Sequence, residues 1–275
     1  MRKPLPPTEQ PGPLEDLHLM TASELVKAMH EVDHAIQPAV EAAIPALSQL
    51  IDALVPRMQK GARLFYLGAG TSGRLGVVDA SECPPTFGVD HGRVVGLMAG
   101  GDSAIRRAVE GAEDDPKQGW LDLTSHDVQA IDAVVGIAAS GRTPYVVEAL
   151  KEARAHGLLT GCITCNPDSA VAMACDHPVV AVTGPEFVTG STRMKAGTAT
   201  KLLLNRLTTA TMVLLGHVQG NRMVDMQLSN DKLVERGARM VSDATGLNFQ
   251  KAEALLLKHG SVRAATIAHQ RENMP

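Results

Sequence analysis

The sequence has few aromatic residues, few cysteines and no long uncharged apolar run. Four Phe, two Tyr and one Trp are only 3% of 275 residues, which disfavours a base-stacking nucleic-acid surface and an all-β sandwich. Four cysteines are too few for a disulfide scaffold at this length, so a reducing cytoplasm is the expected compartment. We find neither the apolar run of about 18 residues that spans a membrane nor the apolar core of a signal peptide.

Charge and length narrow the class of protein further. The formal net charge of -4 removes the bulk attraction toward DNA or anionic membranes. The first 60 residues are not enriched in basic side chains, which argues against an N-terminal DNA-binding helix-turn-helix. We therefore expect no nucleic-acid partner and no membrane partner. The 44% hydrophobic content is typical of a globular chain with one large domain, or one domain with appendages.

Short apolar runs alternate with helical patterns after Arg63. The runs lie at 64–67, 94–98, 133–138, 161–164 and 179–182, and the helical patterns lie at 72–82, 103–113, 144–156 and 168–174. Uninterrupted apolar strands between helices are typical of a parallel sheet that is covered on both faces. With right-handed crossovers, the predicted fold class is α/β, with a doubly wound, flavodoxin-like, five-stranded parallel sheet.

Helical patterns also flank the predicted sheet. Thr21 and Glu24 have capping-box spacing, and longer helices are predicted at about 36–58 and 191–215. The segment 243–256 resembles a small helix–turn–helix appendage. We predict four regions: a proline-rich tail that is extended or disordered (1–15), N-terminal helices (16–52), a core domain (53–216) and a C-terminal helical region (217–275).

The loop after the first strand is rich in glycine and hydroxyl groups. Its Gly-x-Gly-x-x-Gly spacing (68–73) is a weak indication of a dinucleotide site, and a tight turn would need the same glycines. Thr71 and Ser72 add hydroxyls that the dinucleotide motif does not need, and no acidic residue closes the second strand. Hydroxyls and free amides at a helix N-terminus favour a compact phosphate monoester.

Two further clusters have a similar composition. The third strand ends in Ser140-Gly141-Arg142-Thr143 before a proline; taken alone, a plain N-cap by Thr143 explains this turn equally well. Because parallel strands end at the same edge of a sheet, the two loops together favour a ligand site. A third cluster, with Ser191, Thr192, Arg193 and Lys195, places hydroxyls and cations at the predicted start of the long helix, where anions are attracted.

Two acidic groups are candidates for proton transfer. Glu82 lies near the predicted end of a helix that Pro84-Pro85 would cut short. From spacing alone, a solvated Glu at a helix end is the favoured interpretation. Glu110 and Glu113 are three residues apart and would share one helix face, which would usually be a solvated face. Spacing does not choose between them.

The remaining reactive residues indicate no further chemistry. Cys162 and Cys165 lie on a predicted strand and at its end with odd spacing, so they should point to opposite faces and be structural. The histidines have no metal-ligand spacing, so we expect no metal. No Gly-x-Ser-x-Gly nucleophile motif is present.

Taken together, the motifs resemble the N-acetylmuramic acid 6-phosphate etherase family, a branch of the sugar-isomerase (SIS) phosphosugar-binding domains that is related to glucokinase regulatory protein. The resembling segments are LGAGTSGRLGVVDASECPPTFG (67–88), GLMAGGDSAIRRAVEGAEDD (96–115), GIAASGRTPYVVEAL (136–150) and VTGSTRMKAGTATK (188–201). The first segment is the most specific, because phosphosugar domains in general have the glycine and serine loops but not DASECPPTFG.

The resemblance implies a cytoplasmic homodimer that cleaves the D-lactyl ether of N-acetylmuramate 6-phosphate, with no metal and no redox cofactor. The products would be N-acetylglucosamine 6-phosphate and D-lactate, within peptidoglycan recycling. Glu82 matches the family's acid/base residue and Glu113 its second catalytic carboxylate. Ser72, Ser140, Thr143 and Ser191 match loop positions around the sugar phosphate. Family members usually continue further than this chain at the C-terminus.

Proteins with the same fold can have two other functions. A non-enzymatic phosphosugar sensor would not need both Glu82 and Glu113. An aldose–ketose phosphosugar isomerase shares the enediol-type chemistry, but the DASECPP motif argues against it.

Overall fold

The computed structural model describes residues 5–273, which form two compact units. The first unit contains the described residues up to Ala80 together with Val94–Leu207. The second contains Ser81–Arg93 and the described residues from Thr208 onward. Pro4 of the predicted tail lies outside the described residues.

The first unit is built on a five-stranded parallel sheet, which confirms the predicted fold class. Its strands are β1 (Leu64–Gly68), β2 (Val94–Met98), β3 (Ala133–Ile137), β4 (Leu159–Thr164) and β5 (His177–Val180). Their order is β2-β1-β3-β4-β5, and Leu64 pairs with Val94 on one side and Ala133 on the other. The order reverses at β1 and β3, the position at which ligands bind in open α/β sheets.

Helices cover both faces of the sheet. They are α1 (Ala22–Asp33), α2 (Ile36–Gln59), α3 (Gly70–Phe87), α4 (Gly101–Arg106), α5 (Gln118–Ser125), α6 (Pro144–Ala155), α7 (Ala170–Met173) and α8 (Lys195–Leu214). A Cβ on Gly161 would lie 2.9 Å from Leu50 of α2, and a Cβ on Gly136 would lie 2.6 Å from Val146 of α6. Both glycines therefore let a helix approach the sheet closely, one from each face.

The two N-terminal helices follow the sequence pattern. Thr21 and Glu24 form the predicted capping box at the start of α1. By length and composition alone, Ala22–Gln59 could cross a membrane. However, α2 packs against β4 and β5 and buries Leu47, Leu50 and Leu54, so its apolar composition is that of a core helix.

The segment after β2 corrects one prediction. Instead of a helix over 103–113, α4 ends at Arg106, and Gly111 takes a left-handed conformation (φ +74°) before a 3-10 turn at Ala112–Asp114. Glu110 and Glu113 therefore do not share a helix face. The helical repeat that the apolar spacing indicated ends where Arg107 becomes extended (φ -134°), and Gly111 then allows the turn that carries Glu113.

Two helix boundaries also differ from the prediction. Helix α3 continues through Pro84 and Pro85 to Phe87, so the expected early end is wrong. Each proline loses only its own N–H, and the Pro84 carbonyl still accepts from Gly88 N at 2.9 Å. Helix α8 begins at Lys195 rather than near Ser191, because the residues before it form turns.

The second unit is a small helical unit with a two-stranded ribbon. The ribbon is β6 (Val218–Gln219) and β7 (Arg222–Met223), and the helices that follow are α9 (Asp231–Thr245), α10 (Phe249–His259) and α11 (Val262–Glu272). Gly246 ends α9 with φ +75°, and the Asn248 side chain caps α10, which confirms the predicted helix–turn–helix. Ala238, Val241 and Leu256 are fully buried between these helices.

The proline-rich segment is ordered where the structure describes it. Pro7–Glu9 form a 3-10 turn, and Thr8 is fully buried. The expectation of an extended or disordered tail is therefore wrong for these residues, because a buried polar contact outweighs the proline-rich composition.

Candidate functional site

The β1–α3 loop brings hydroxyl groups to the carboxyl edge of the sheet. Thr71 and Ser72 lie in the first turn of α3, and both are half-buried. A Cβ on Gly68 would lie 2.7 Å from Gly73 N, and a Cβ on Gly73 would lie 2.7 Å from Gly68 O. The two glycines therefore allow a close backbone approach, which leaves the first amides of α3 facing the loop.

The β3–α6 loop forms the second part of the edge. Gly141 has φ +71°, and a Cβ there would lie 2.3 Å from the Ser169 Cβ, so only glycine fits. Thr143 is the N-cap of α6, but its side chain makes no capping hydrogen bond. A plain N-cap therefore does not account for the Thr143 hydroxyl, and Ser140 beside it is half-buried.

The segment before α8 meets both loops. Ala196 packs in a buried cluster with Ala139, the residue before Ser140, and with Cys165 at the end of β4. A Cβ on Gly197 would lie 3.6 Å from the Thr71 methyl group. The three predicted clusters therefore converge on one edge of the first unit. Ser191 and Thr192, both half-buried, lie in the turns that lead into α8.

Lys195 points inward rather than toward this edge. It is 4% exposed, and its Nζ donates to the Thr183 carbonyl at 2.8 Å. Burial lowers its pKa, which the adjacent Glu186 carboxylate partly offsets. Glu186, which is fully buried, accepts from the Lys195 and Ala196 backbone N–H groups at 2.9 Å each. A carboxylate thus already caps the helix N-terminus that the sequence pattern assigned to a ligand anion.

Glu113 lies beside the first loop. It lines a cavity of about 150 Å³ together with Gly70, Arg74 and Glu110. The Arg74 guanidinium donates to the carbonyls of Ala104 (2.7 Å) and Ile105 (2.8 Å) and so holds the end of α4 next to this cavity. Glu110 and Glu113 therefore face the same cavity, although they do not share a helix.

Glu82 belongs to the second unit. It is exposed and lines a cleft of about 270 Å³ with Asn230, Lys232 and Arg236. Within the described residues, no ion pair or hydrogen bond engages the half-buried Arg236 side chain. The cleft thus combines a carboxyl group that can transfer a proton with cations that can bind an anion.

The cysteines lie in the interior. All four are free and buried. Burial raises the pKa of the Cys165 thiol to about 12. Cys162 packs with the α6 face, whereas Cys165 packs with Ala139 and Ala196, so the two point into different clusters as expected.

Several polar residues at the site were not singled out from the sequence. Thr8, Asn166 and Glu186 are at least 99% buried and hydrogen-bonded at the carboxyl edge, and Lys232 and Arg236 line the cleft of Glu82. Their partners are distant in sequence, so neither spacing nor composition indicates these contacts. The position of Asn166, two residues after the end of β4, was the available signal.

Family models match most of the chain. Residues 46–154 match the glucokinase regulatory protein N-terminal SIS domain, and residues 121–210 match the SIS domain. Residues 220–271 match the C-terminal lid domain of glucokinase regulatory protein.

Close relatives share one name over almost their full length. The chain is 55% identical over 272 residues to the N-acetylmuramic acid 6-phosphate etherase of Christiangramia forsetii, and the match covers 99% of each chain. It is 53% identical over 266 residues to the protein of that name from Bacteroides thetaiotaomicron, covering 97% of this chain and 96% of the relative. The expected longer C-terminus is thus not a feature of the Christiangramia forsetii protein.

Solved structures give the fold. A phosphoheptose isomerase from Francisella tularensis is similar with a TM-score of 0.51 and 16% identity, covering 72% of this chain and 100% of that one.

Proposed function

The chain belongs to the N-acetylmuramic acid 6-phosphate etherase family, and on that premise we propose that it cleaves the D-lactyl ether of N-acetylmuramate 6-phosphate with water. The products are N-acetylglucosamine 6-phosphate and D-lactate, so the protein is a carbon–oxygen lyase. The observation that carries the proposal is the near-full-length identity of 55% to a protein of that name.

The sugar phosphate binds at the carboxyl edge of the sheet in this proposal. Ser72, Ser140, Thr143 and Ser191 supply hydroxyl donors, and the first amides of α3 add their N–H groups. The convergence of the loops on one edge supports this assignment. The left-handed Gly141 keeps the second loop close to Ser169.

The other predicted loop residues have supporting roles. Thr71 and Thr192 flank the principal hydroxyls, and Arg142, whose side chain is 58% exposed, supplies a positive charge at the rim. We assign Lys195 an indirect role, because its ammonium group already binds the Thr183 carbonyl. It neutralises Glu186 and thereby stabilises the start of α8.

The reaction is an elimination followed by a hydration. In the ring-opened sugar, the C1 aldehyde acidifies the hydrogen at C2. Glu113 removes this proton, the C3–O bond to lactate breaks, and Glu82 protonates the departing oxygen. The C2–C3 double bond then accepts water at C3. The Glu82 carboxylate takes a proton from that water, and Glu113 returns the first proton to C2, so both groups end as they began. The two roles could be exchanged.

The cleft of Glu82 suits the lactyl group. Lactate carries a carboxylate, and Lys232 and Arg236 are cations in the same cleft as the carboxyl group that would protonate its ether oxygen. A guanidinium can bind a carboxylate through two parallel hydrogen bonds. We therefore assign Arg236 to the lactyl carboxylate.

The assembly and compartment remain proposals from family membership. We propose a cytoplasmic homodimer that takes part in peptidoglycan recycling, with no metal or redox cofactor. Light scattering of the purified chain tests the dimer. A mass equal to one 29.0 kDa chain would contradict it.

The activity is tested by incubating the protein with N-acetylmuramate 6-phosphate and measuring D-lactate. We expect release by the unmodified chain, and loss of turnover with retained binding in Glu82→Gln and Glu113→Gln. Glu152→Gln, at an exposed site on α6, is the matched control and should be fully active. A folded protein that binds the phosphosugar but releases no lactate would refute the etherase and favour a sensor.

A further inference from the structure

The N-terminal segment at 5–13, which we name the strap, contacts the carboxyl edge of the sheet in the first unit. Thr8 is 0% exposed, although Leu5 of the same segment is 57% exposed. Among the described residues of the strap, the buried anchor is thus polar rather than apolar. Burial of an apolar side chain is non-directional, whereas hydrogen bonds fix the distance and angle between the groups that they join.

Thr8 is joined to the β3–α6 loop through Asn166. The Thr8 N–H donates to Asn166 Oδ1 at 3.2 Å, and Asn166 Nδ2 donates to Thr8 Oγ1 at 2.8 Å. The same Nδ2 donates to the Ala139 carbonyl at 2.9 Å. Because Ala139 directly precedes Ser140, the Thr8–Asn166 pair fixes the backbone immediately before the Ser140–Thr143 segment of that loop.

The strap also contacts the loop before α8. Glu9 lies 3.8 Å from the Arg142 guanidinium, and its carboxylate is 3.7 Å from where a Cβ on Gly190 would lie. The Gly12 N–H donates to Thr189 Oγ1 at 2.8 Å. The strap therefore bridges two of the loops that carry the candidate phosphate-binding hydroxyls.

We propose that Thr8 and Asn166 are positioning residues that set the Ser140–Thr143 loop for the sugar phosphate. The proposal rests on the proposed function, in which this loop binds the phosphate. Thr8 acts through Asn166 and does not itself touch the substrate. A hydrogen bond of this kind contributes about 1 kcal/mol, so its loss weakens phosphosugar binding about 3- to 10-fold.

The test measures direct binding of N-acetylglucosamine 6-phosphate by calorimetry, together with KM and kcat for the etherase reaction. Thr8→Val keeps the side-chain shape and removes the hydroxyl. In Thr8→Val we expect Kd and KM to rise about 3- to 10-fold, while kcat stays within about twofold of the unmodified chain. Thr8→Ser should restore both Kd and KM.

A matched control separates positioning from stability. Thr160 is equally buried and hydrogen-bonded to Asp176, but it lies at the opposite end of β4. Thr160→Val should lower the melting temperature without changing Kd. If Thr8→Val also lowers the melting temperature without changing Kd, the positioning role is refuted.

A second variant covers the case in which Thr8→Val does not fold. A Cβ on Gly12 would lie 2.8 Å from the Glu186 carbonyl, so Gly12→Ala displaces the strap without altering a loop hydroxyl. We expect a weaker Kd here as well, and an unchanged Kd would overturn the proposal. Binding without lactate release would refute the etherase alone, and absence of binding in the unmodified chain would refute both.

Discussion

Replacing Gly141 with alanine should displace the β3–α6 loop and weaken phosphosugar binding, in addition to lowering the stability of the fold. The left-handed φ of +71° costs an L-residue about 1–2 kcal/mol. The new Cβ would lie 2.3 Å from Ser169 Cβ and 2.5 Å from its Oγ. Ordinary carbon contacts are about 3.5–4.0 Å, so the loop and Ser169 must separate by about 1 Å. Such overpacking adds about 1–3 kcal/mol.

Gly157→Ala is the matched control. Gly157 has a similar φ of +81°, but its nearest neighbour would be the Ala130 Cβ at 4.0 Å. The control therefore has the backbone strain without the clash. We expect Gly157→Ala to lower the free energy of unfolding by about 1–2 kcal/mol and to leave phosphosugar binding unchanged.

The assays are urea unfolding and the Kd for N-acetylglucosamine 6-phosphate. We expect Gly141→Ala to lose about 2–5 kcal/mol of stability. A displacement of about 1 Å at a positioned group can cost about 100-fold, so we expect Kd to rise at least about tenfold. Equal Kd values for the two variants would refute the account of the loop.

Three further predictions concern charged side chains. Glu186→Gln replaces an acceptor for the α8 amides with an NH2 group and removes a carboxylate that stabilises the buried Lys195 ammonium. It should therefore cost about 3–5 kcal/mol in urea unfolding; a loss below about 1 kcal/mol would contradict the cap. Arg236→Gln should raise KM for N-acetylmuramate 6-phosphate about 10- to 100-fold but leave the Kd of N-acetylglucosamine 6-phosphate, which lacks the carboxylate, unchanged; equal losses would remove Arg236 from the lactyl group. Burial alone would raise the pKa of Asp225, but hydrogen bonds and charge from Arg263 outweigh it and lower that pKa below 3.8. This stabilisation is therefore present above pH 3.8 and is lost as the pH falls through the lowered value, so melting curves should show a flatter acid dependence in Asp225→Asn than in the unmodified chain.

The sequence was sufficient to predict the sheet, because buried parallel strands read as uninterrupted apolar runs. The run at 94–98 matches β2 to the residue. The 103–113 helix was wrong because apolar spacing carries no information about the extended backbone at Arg107 or the left-handed turn at Gly111. Helix α5 was not predicted, because its eight residues make only about two turns and show too little of a helical repeat.

The candidate site was predictable only in part. Hydroxyls and glycines at strand ends indicate the loops, because the fold brings those ends to one edge. The inward direction of Lys195 depends on Thr183 and Glu186, which a composition argument cannot place. Likewise, Thr8 and Asn166 are 158 residues apart, so the buried pair becomes visible only in the folded chain.

The most direct measurement of the central claim is the reaction in heavy-oxygen water. Elimination followed by hydration predicts that the label enters the C3 hydroxyl of N-acetylglucosamine 6-phosphate and that D-lactate remains unlabelled. Label in D-lactate would mean that the bond on the lactyl side breaks, and would contradict the mechanism.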